Sequence, residues 1–156
     1  MDRQEIEAIV EKALDSLVAE QSALLDLNVT ERALSHYLAI YIMRLMHEVD
    51  ASYDVDVEYN RDHDKTKRLS LIPEKTSTDR ELRAVTVYPD IIVHKRNSKR
   101  HNLLVLEMKK PGGDPEDFDY DRKKLEAFHT QLHYPHAAHV IIGRDREGCK
   151  LKFISD

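Results

Sequence analysis

The segment Leu103-Leu104-Val105-Leu106 runs straight into Glu107-Met108-Lys109-Lys110 and then into Pro111-Gly112-Gly113. Four consecutive apolar residues lack the alternation of a half-wet strand, and the proline and glycines that follow stop the segment before it reaches helical length. They read as a strand covered on both faces. Such a strand needs a layer of structure on either side, which points to an α/β sandwich built on a mixed sheet with 103–106 at its centre.

The rest of the chain supplies those layers. Residues 2–19 place Ile6, Ile9, Val10, Ala13, Leu14, Leu17 and Val18 at spacings of three and four, behind Asp2 and Glu5 set as a capping box. That pattern predicts an amphipathic helix. A second start signal, Asn28 with Glu31 three residues on, precedes Leu34, Tyr37, Leu38, Tyr41, Ile42, Leu45 and Met46 on one helical face. Tyr53, Val55, Val57 and Tyr59 alternate with Asp54, Asp56 and Glu58, the period of a strand with one wet face. Residues 60–82 read as a long polar loop, and the apolar run 85–93 carries Pro89, which predicts an irregularity there. A helix is expected over 116–133, then a short buried strand at 140–142 and an edge strand at 151–154. The order is therefore helix, helix, three strands, helix, strand, strand.

At 156 residues with 41% apolar side chains, the chain suits one domain, 1–156, in which 1–27 is a helical extension to a core at 28–156. No apolar run approaches membrane-spanning length, and the start MDRQEIE lacks the features of an export signal, so a cytoplasmic protein is expected. Cys149 is the single cysteine, which excludes an internal disulfide and a zinc site built from several thiolates. It reads as a buried spectator. His129, His133, His136 and His139 have spacings that invite a zinc reading, but Tyr134-Pro135 ends the helix and should scatter the rings.

Net charge is −5, unevenly spread. Residues 1–60 carry 4 basic and 13 acidic groups, whereas 61–110 carry 13 basic and 7 acidic groups, a local excess of +6. An anionic polymer could be drawn to that middle segment while the remainder keeps the protein in solution. Lys95, Arg96, Lys99, Arg100 and Lys110, with Lys65, Lys67 and Arg68 in the expected loop, are the candidate phosphate contacts.

Residues two apart on a strand share a face, so Glu107 and Lys109 leave the end of the buried strand together. Asp90 stands 17 residues before Glu107, and a strand, turn and antiparallel return would bring it level with Glu107. Two carboxylates so placed repel one another, and a hard divalent cation with oxygen ligands resolves the repulsion. Glu58, on the wet face of its strand, is a further candidate oxygen for such a cation but reads first as an ion pair with Arg61.

Pro89-Asp90, then Glu107-Met108-Lys109, resembles the motif of the PD-(D/E)XK nuclease superfamily, and YPDIIVHKR, NLLVLEMKK and the later Asp121, Lys124 and Leu125 look like its small bacterial members. The resemblance spans about three quarters of the chain. It implies a restriction-endonuclease-like three-layer sandwich, a mixed central sheet with helices on both faces, here with an extra N-terminal helix. It further implies hydrolysis of phosphodiester bonds in DNA with Mg²⁺ or Mn²⁺, which Asp90, Glu107, the Met108 carbonyl and Glu31 would bind. Lys109 would orient or activate the water. The Q-x3-Y motif of one subgroup is not matched, since only two residues separate Gln131 from Tyr134. The alternative is a catalytically inactive module of the same fold that binds nucleic acid or a partner. A homodimer through the apolar face of the first helix is open. A regulator acting only through that helix would keep its fold without residues 1–20.

Overall fold

The computed structural model describes residues 1–59, 61–62, 65–66, 68–71, 83–86, 88–96 and 98–154, and within 61–86 and at 99 the backbone alone. Along the chain come α1 (Arg3–Glu20), α2 (Ser22–Asp26), α3 (Glu31–Asp50), β1 (Asp54–Val57), β2 (Arg61–Asp62), β3 (Lys65–Thr66), β4 (Arg68–Leu71), β5 (Arg83–Thr86), β6 (Ile91–His94), β7 (Asn102–Lys109), α4 (Pro115–Gln131), β8 (His136–Ile141) and β9 (Lys150–Phe153). Five strands form an open mixed sheet in the order β1-β6-β7-β8-β9, with β7 in the middle as the apolar run predicts. Among the described strands only β7 and β8 pair in parallel, and α4 makes the crossover between them. Among the described residues no helix is long and apolar enough to cross a membrane.

Alternation along β7 divides the core. Leu104, Leu106 and Met108 join Ile6, Leu14, Leu38, Ile42 and Met46 of α1 and α3, whereas Val105 joins Leu125 and Phe128 of α4. The apolar stripe of α1 is thus buried inside the chain, with Ile6, Val10, Ala13, Leu14 and Leu17 fully covered, and the dimer face expected from it is already occupied. Asp2 and Glu5 form the predicted capping box: Asp2 Oδ1 accepts from Glu5 N at 2.9 Å and Glu5 Oε2 accepts from Asp2 N at 2.8 Å.

Several expectations shift. The second helix is capped by Thr30, whose Oγ1 accepts from Ala33 N at 3.3 Å, and not by Asn28. Asn28 instead takes a left-handed conformation, φ 52°, which asparagine tolerates better than most residues, in the turn after α2. The span 60–82, expected as loop, contains β2, β3 and β4, the last paired with β5. At Pro89 the apolar run 85–93 breaks into β5 and β6, which belong to different sheets. β8 begins at His136, four residues before the expected strand, because pairing with β7 and not its own apolar content defines it. Glu58 pairs with Arg32 of α3, Oε1 to Nη2 at 2.8 Å, while the side chain of Arg61, its expected partner, lies outside what is described.

At the start of the β6–β7 turn, His94 Nε2 lies 2.9 Å from Asp56 Oδ2, and Arg96 Nε donates to the same oxygen at 2.9 Å. Burial alone would raise the Asp56 carboxyl, but bonds from His94 and Arg96 outweigh it and hold the pKa at about 2. The stability this confers is complete above the ordinary value of 3.8 and is lost as pH falls towards 2. Urea melts should therefore show wild type losing more stability than Asp56→Asn over that interval. Equal losses would remove Asp56 as the cause.

Candidate active site

The first step of β6 sets Ile91 opposite Leu106, which leaves Asp90 beside Glu107 and Met108 where the two strands diverge. Past Ile91, β6 offers no backbone acceptor to β7, and the Asp90 carboxylate takes that place: Oδ2 accepts from Met108 N at 2.7 Å. Pro89, which has no N–H, and Asp90 together end the pairing and turn the carboxylate inward.

Glu107 is 1% exposed. Its Oε2 lies 2.7 Å from Lys124 Nζ, while Oε1 is buried without a hydrogen-bond partner. Lys109 does not pair with Glu107. Its Nζ reaches Asp121 Oδ2 at 2.9 Å, and Lys124 Nζ stands 3.6 Å from Asp121 Oδ1 and 3.4 Å from the Tyr88 carbonyl that accepts from it. β7 and α4 therefore exchange charges crosswise, Glu107 to Lys124 and Lys109 to Asp121.

The electrostatics follow from burial. Desolvation pushes the Glu107 carboxyl well above the usual carboxylate range, Lys124 pulls against it, and Asp90 and Asp121 push the same way as burial. Asp90 is also raised by burial, opposed by the Met108 N–H and Lys124. Burial disfavours the charge on both Lys109 and Lys124, yet Asp121 and Glu107 respectively reverse that effect, so both ammonium groups hold their protons more firmly than a free lysine. The site is thus an open chain of charge, Glu107 to Lys124 to Asp121 to Lys109, at one end of which the buried Glu107 Oε1 has no hydrogen-bond partner.

Of the residues singled out from the sequence, Asp90, Glu107, Met108 and Lys109 come together, and Glu31 stands at their margin. Glu31 Oε1 accepts from Lys110 N at 3.1 Å, tying the head of α3 to the end of β7, and Lys110 Nζ bonds the Asn28 carbonyl and Oδ1. Lys95, Arg96, Lys99 and Arg100 do not flank the site. They lie in the turn at the start of β7, and the five steps along the strand from Asn102 to Glu107 span about 17 Å. There Lys95 and Arg96 are held by Asp50, Asp54 and Asp56, and Arg100 is exposed. Lys65 and Arg68 fall on β3 and β4, and β4 runs beside α4. Lys67 lies outside the described residues.

Asp121 and Lys124 stand beside Glu107 and Lys109, although in the sequence they entered only through the resemblance and were given no role at the site. The signal was present: 121, 124, 125 and 128 share the face that carries Leu125 and Phe128 to the core. The histidines scatter. His129 Nδ1 meets the Tyr134 carbonyl and His136 Nε2 the Met1 carbonyl. Cys149 is buried and free.

A divalent ion fits this donor set in one respect. Among the described residues no three acidic, imidazole or thiol side chains converge on a point, but Mg²⁺ retains several waters and asks for only one or two carboxylates. Glu107 Oε1 is a buried oxygen awaiting a partner beside a second carboxylate. Set against family models, characterised proteins and solved structures, the chain matches none of them.

Proposed function

We propose that the chain is a divalent-metal-dependent nuclease that hydrolyses phosphodiester bonds in DNA, on a restriction-endonuclease-like variant of the α/β sandwich. The observation that carries this reading is the meeting of Asp90 with Glu107 at one end of neighbouring strands, Glu107 keeping a buried unpartnered oxygen and two lysines standing in the chain of ion pairs beside it.

Asp90 and Glu107, with the Met108 carbonyl, are the groups that would hold Mg²⁺ or Mn²⁺, and Glu31 borders them. Such an ion, when bound, draws charge from phosphate oxygens and acidifies a water. Lys109, held in place by Asp121, presents a fixed ammonium where a phosphoryl group gains negative charge. Lys124 neutralises Glu107 and keeps its carboxylate oriented. Asp121 positions both lysines and touches no substrate.

Plasmid, linear duplex and single-stranded DNA incubated with Mg²⁺ or Mn²⁺ test the reading, with Asp90→Asn as control because its amide oxygen still accepts from Met108 N. Cleavage by wild type and a loss of at least about 100-fold in the variant are expected. Equal rates in the two proteins, or no cleavage with either ion, would dismiss it.

One observation favours a second reading, a non-catalytic module that binds nucleic acid or a partner: Lys124 already neutralises Glu107 without a metal. Calorimetric titration with Mn²⁺ separates the two. Heat that vanishes in Asp90→Asn supports the nuclease, whereas DNA binding with a steep salt dependence but no Mn²⁺ heat supports the module.

A further inference from the structure

On the α4 side of the sheet, one strand beyond Glu107, stands His139, its Cα partner in the parallel pairing of β7 with β8. It lines a cavity of about 400 Å³ whose other walls include Phe118, Asp119, Arg122, Lys152 and Phe153. The Phe118 and His139 rings lie 6.1 Å apart between centroids. His139 Nδ1 is buried without a hydrogen-bond partner, so the ring meets the cavity through its other atoms. Burial lowers the imidazole pKa, Asp121 opposes this, and Lys109, Lys152 and Lys124 add to it, so the ring favours its neutral form and offers both a donor and an acceptor.

The walls thus combine an aromatic face, an imidazole ring and two exposed cations, of which Arg122 also stands 3.4 Å from Glu126, with one carboxylate, Asp119. A planar heterocycle with a hydrogen-bonding edge and an attached anion answers each of these, and the volume lies within the range that small ligands occupy. We propose that this cavity holds the base and phosphate of an unpaired nucleotide next to the bond to be cut, which makes single-stranded or flapped DNA the substrate class. The inference rests on the nuclease reading for the choice of ligand, and not for the existence of the cavity.

Titration of the full chain with deoxyadenosine 5′-monophosphate in EDTA, followed by histidine ring NMR signals, tests it without any hydrolysis. Deoxyadenosine, inorganic phosphate and free phenylalanine serve as comparison ligands. The nucleotide should bind more tightly than any of the three, Asp90→Asn should bind it like wild type, and Phe118→Ala should weaken it by at least about fivefold. Lys152→Gln, on an exposed position of edge strand β9, should weaken nucleotide and phosphate alike, and it keeps the test standing should Phe118→Ala fail to fold. Nucleotide binding no tighter than that of phosphate or phenylalanine, or binding indifferent to Lys152→Gln, would overturn the proposal. Cleavage of DNA without nucleotide binding would sink the cavity and spare the nuclease; nucleotide binding without cleavage would do the reverse.

Discussion

Lys124→Met is expected to cost about 3–5 kcal/mol of stability near neutral pH, because it leaves the Glu107 carboxylate buried with its counter-ion gone. Lys124 Nζ makes the 2.7 Å contact to Glu107 Oε2, and the two side chains are 11% and 2% exposed. Solvent can offer neither group much compensation. The deficit should depend on pH with a definite sign. Glu107 already holds its proton more tightly than a free glutamate, and loss of Lys124 raises its pKa further. A carboxyl whose folded pKa is raised is penalised as pH climbs above its unfolded value of 4.5. The variant should therefore stand closest to wild type in mild acid and furthest from it in mild alkali. Urea melts across that range measure it, and adding Glu107→Gln to Lys124→Met should recover much of the loss by removing the stranded charge. A deficit under about 1 kcal/mol and flat with pH would show the pair to be loosely solvated. If the nuclease reading holds, excess Mn²⁺ should restore part of the stability by binding the folded state alone.

A truncation of comparable severity lies at the other end of the chain. Removing residues 1–20 is expected to abolish cooperative folding, since α1 contributes Ile6, Ile9, Val10, Ala13, Leu14 and Leu17 to the core cluster shared with Leu38, Ile42, Leu104 and Leu106. Leu17→Ala alone should lower stability by about 2–5 kcal/mol through lost burial and the cavity left behind. Thermal melts of the two variants check this. A truncated chain that melts sharply, near wild type, would restore the idea of a detachable helix acting by itself.

Much of this arrangement was legible beforehand for reasons that differ by element. The run at 103–106 identified the central strand because only a strand with neighbours on both faces can leave four apolar residues unbroken. The separation of Asp90 from Glu107 was legible because an antiparallel return fixes which residues face one another. Short strands were not. β2 and β3 have two residues each and exist through their mutual pairing, which local composition does not encode. β8 hides behind His136, Ala137 and Ala138, whose strand character comes from the edge of β7. The crosswise exchange of partners between Lys109 and Lys124 was invisible for a related reason. Strand alternation says that Glu107 and Lys109 share a face, but which cation each carboxylate takes is decided by the helix laid across them. The distance of the basic turn from Glu107 was not legible from charge alone, since it follows from topology: a hairpin connecting β6 to β7 must sit at the end of β7 opposite Glu107.

The parallel pairing of β7 with β8 has a consequence for biosynthesis. Until residue 136 has left the ribosome and α4 has looped back, the most apolar strand of the molecule has a neighbour on one side only, β6. A nascent chain at that stage exposes an open, adhesive edge, and contacts this distant in sequence form slowly. Premature termination anywhere between 110 and 136 should accordingly yield aggregates in place of a smaller soluble fragment, which makes the arrival of His136–Ile141 the step on which productive folding waits.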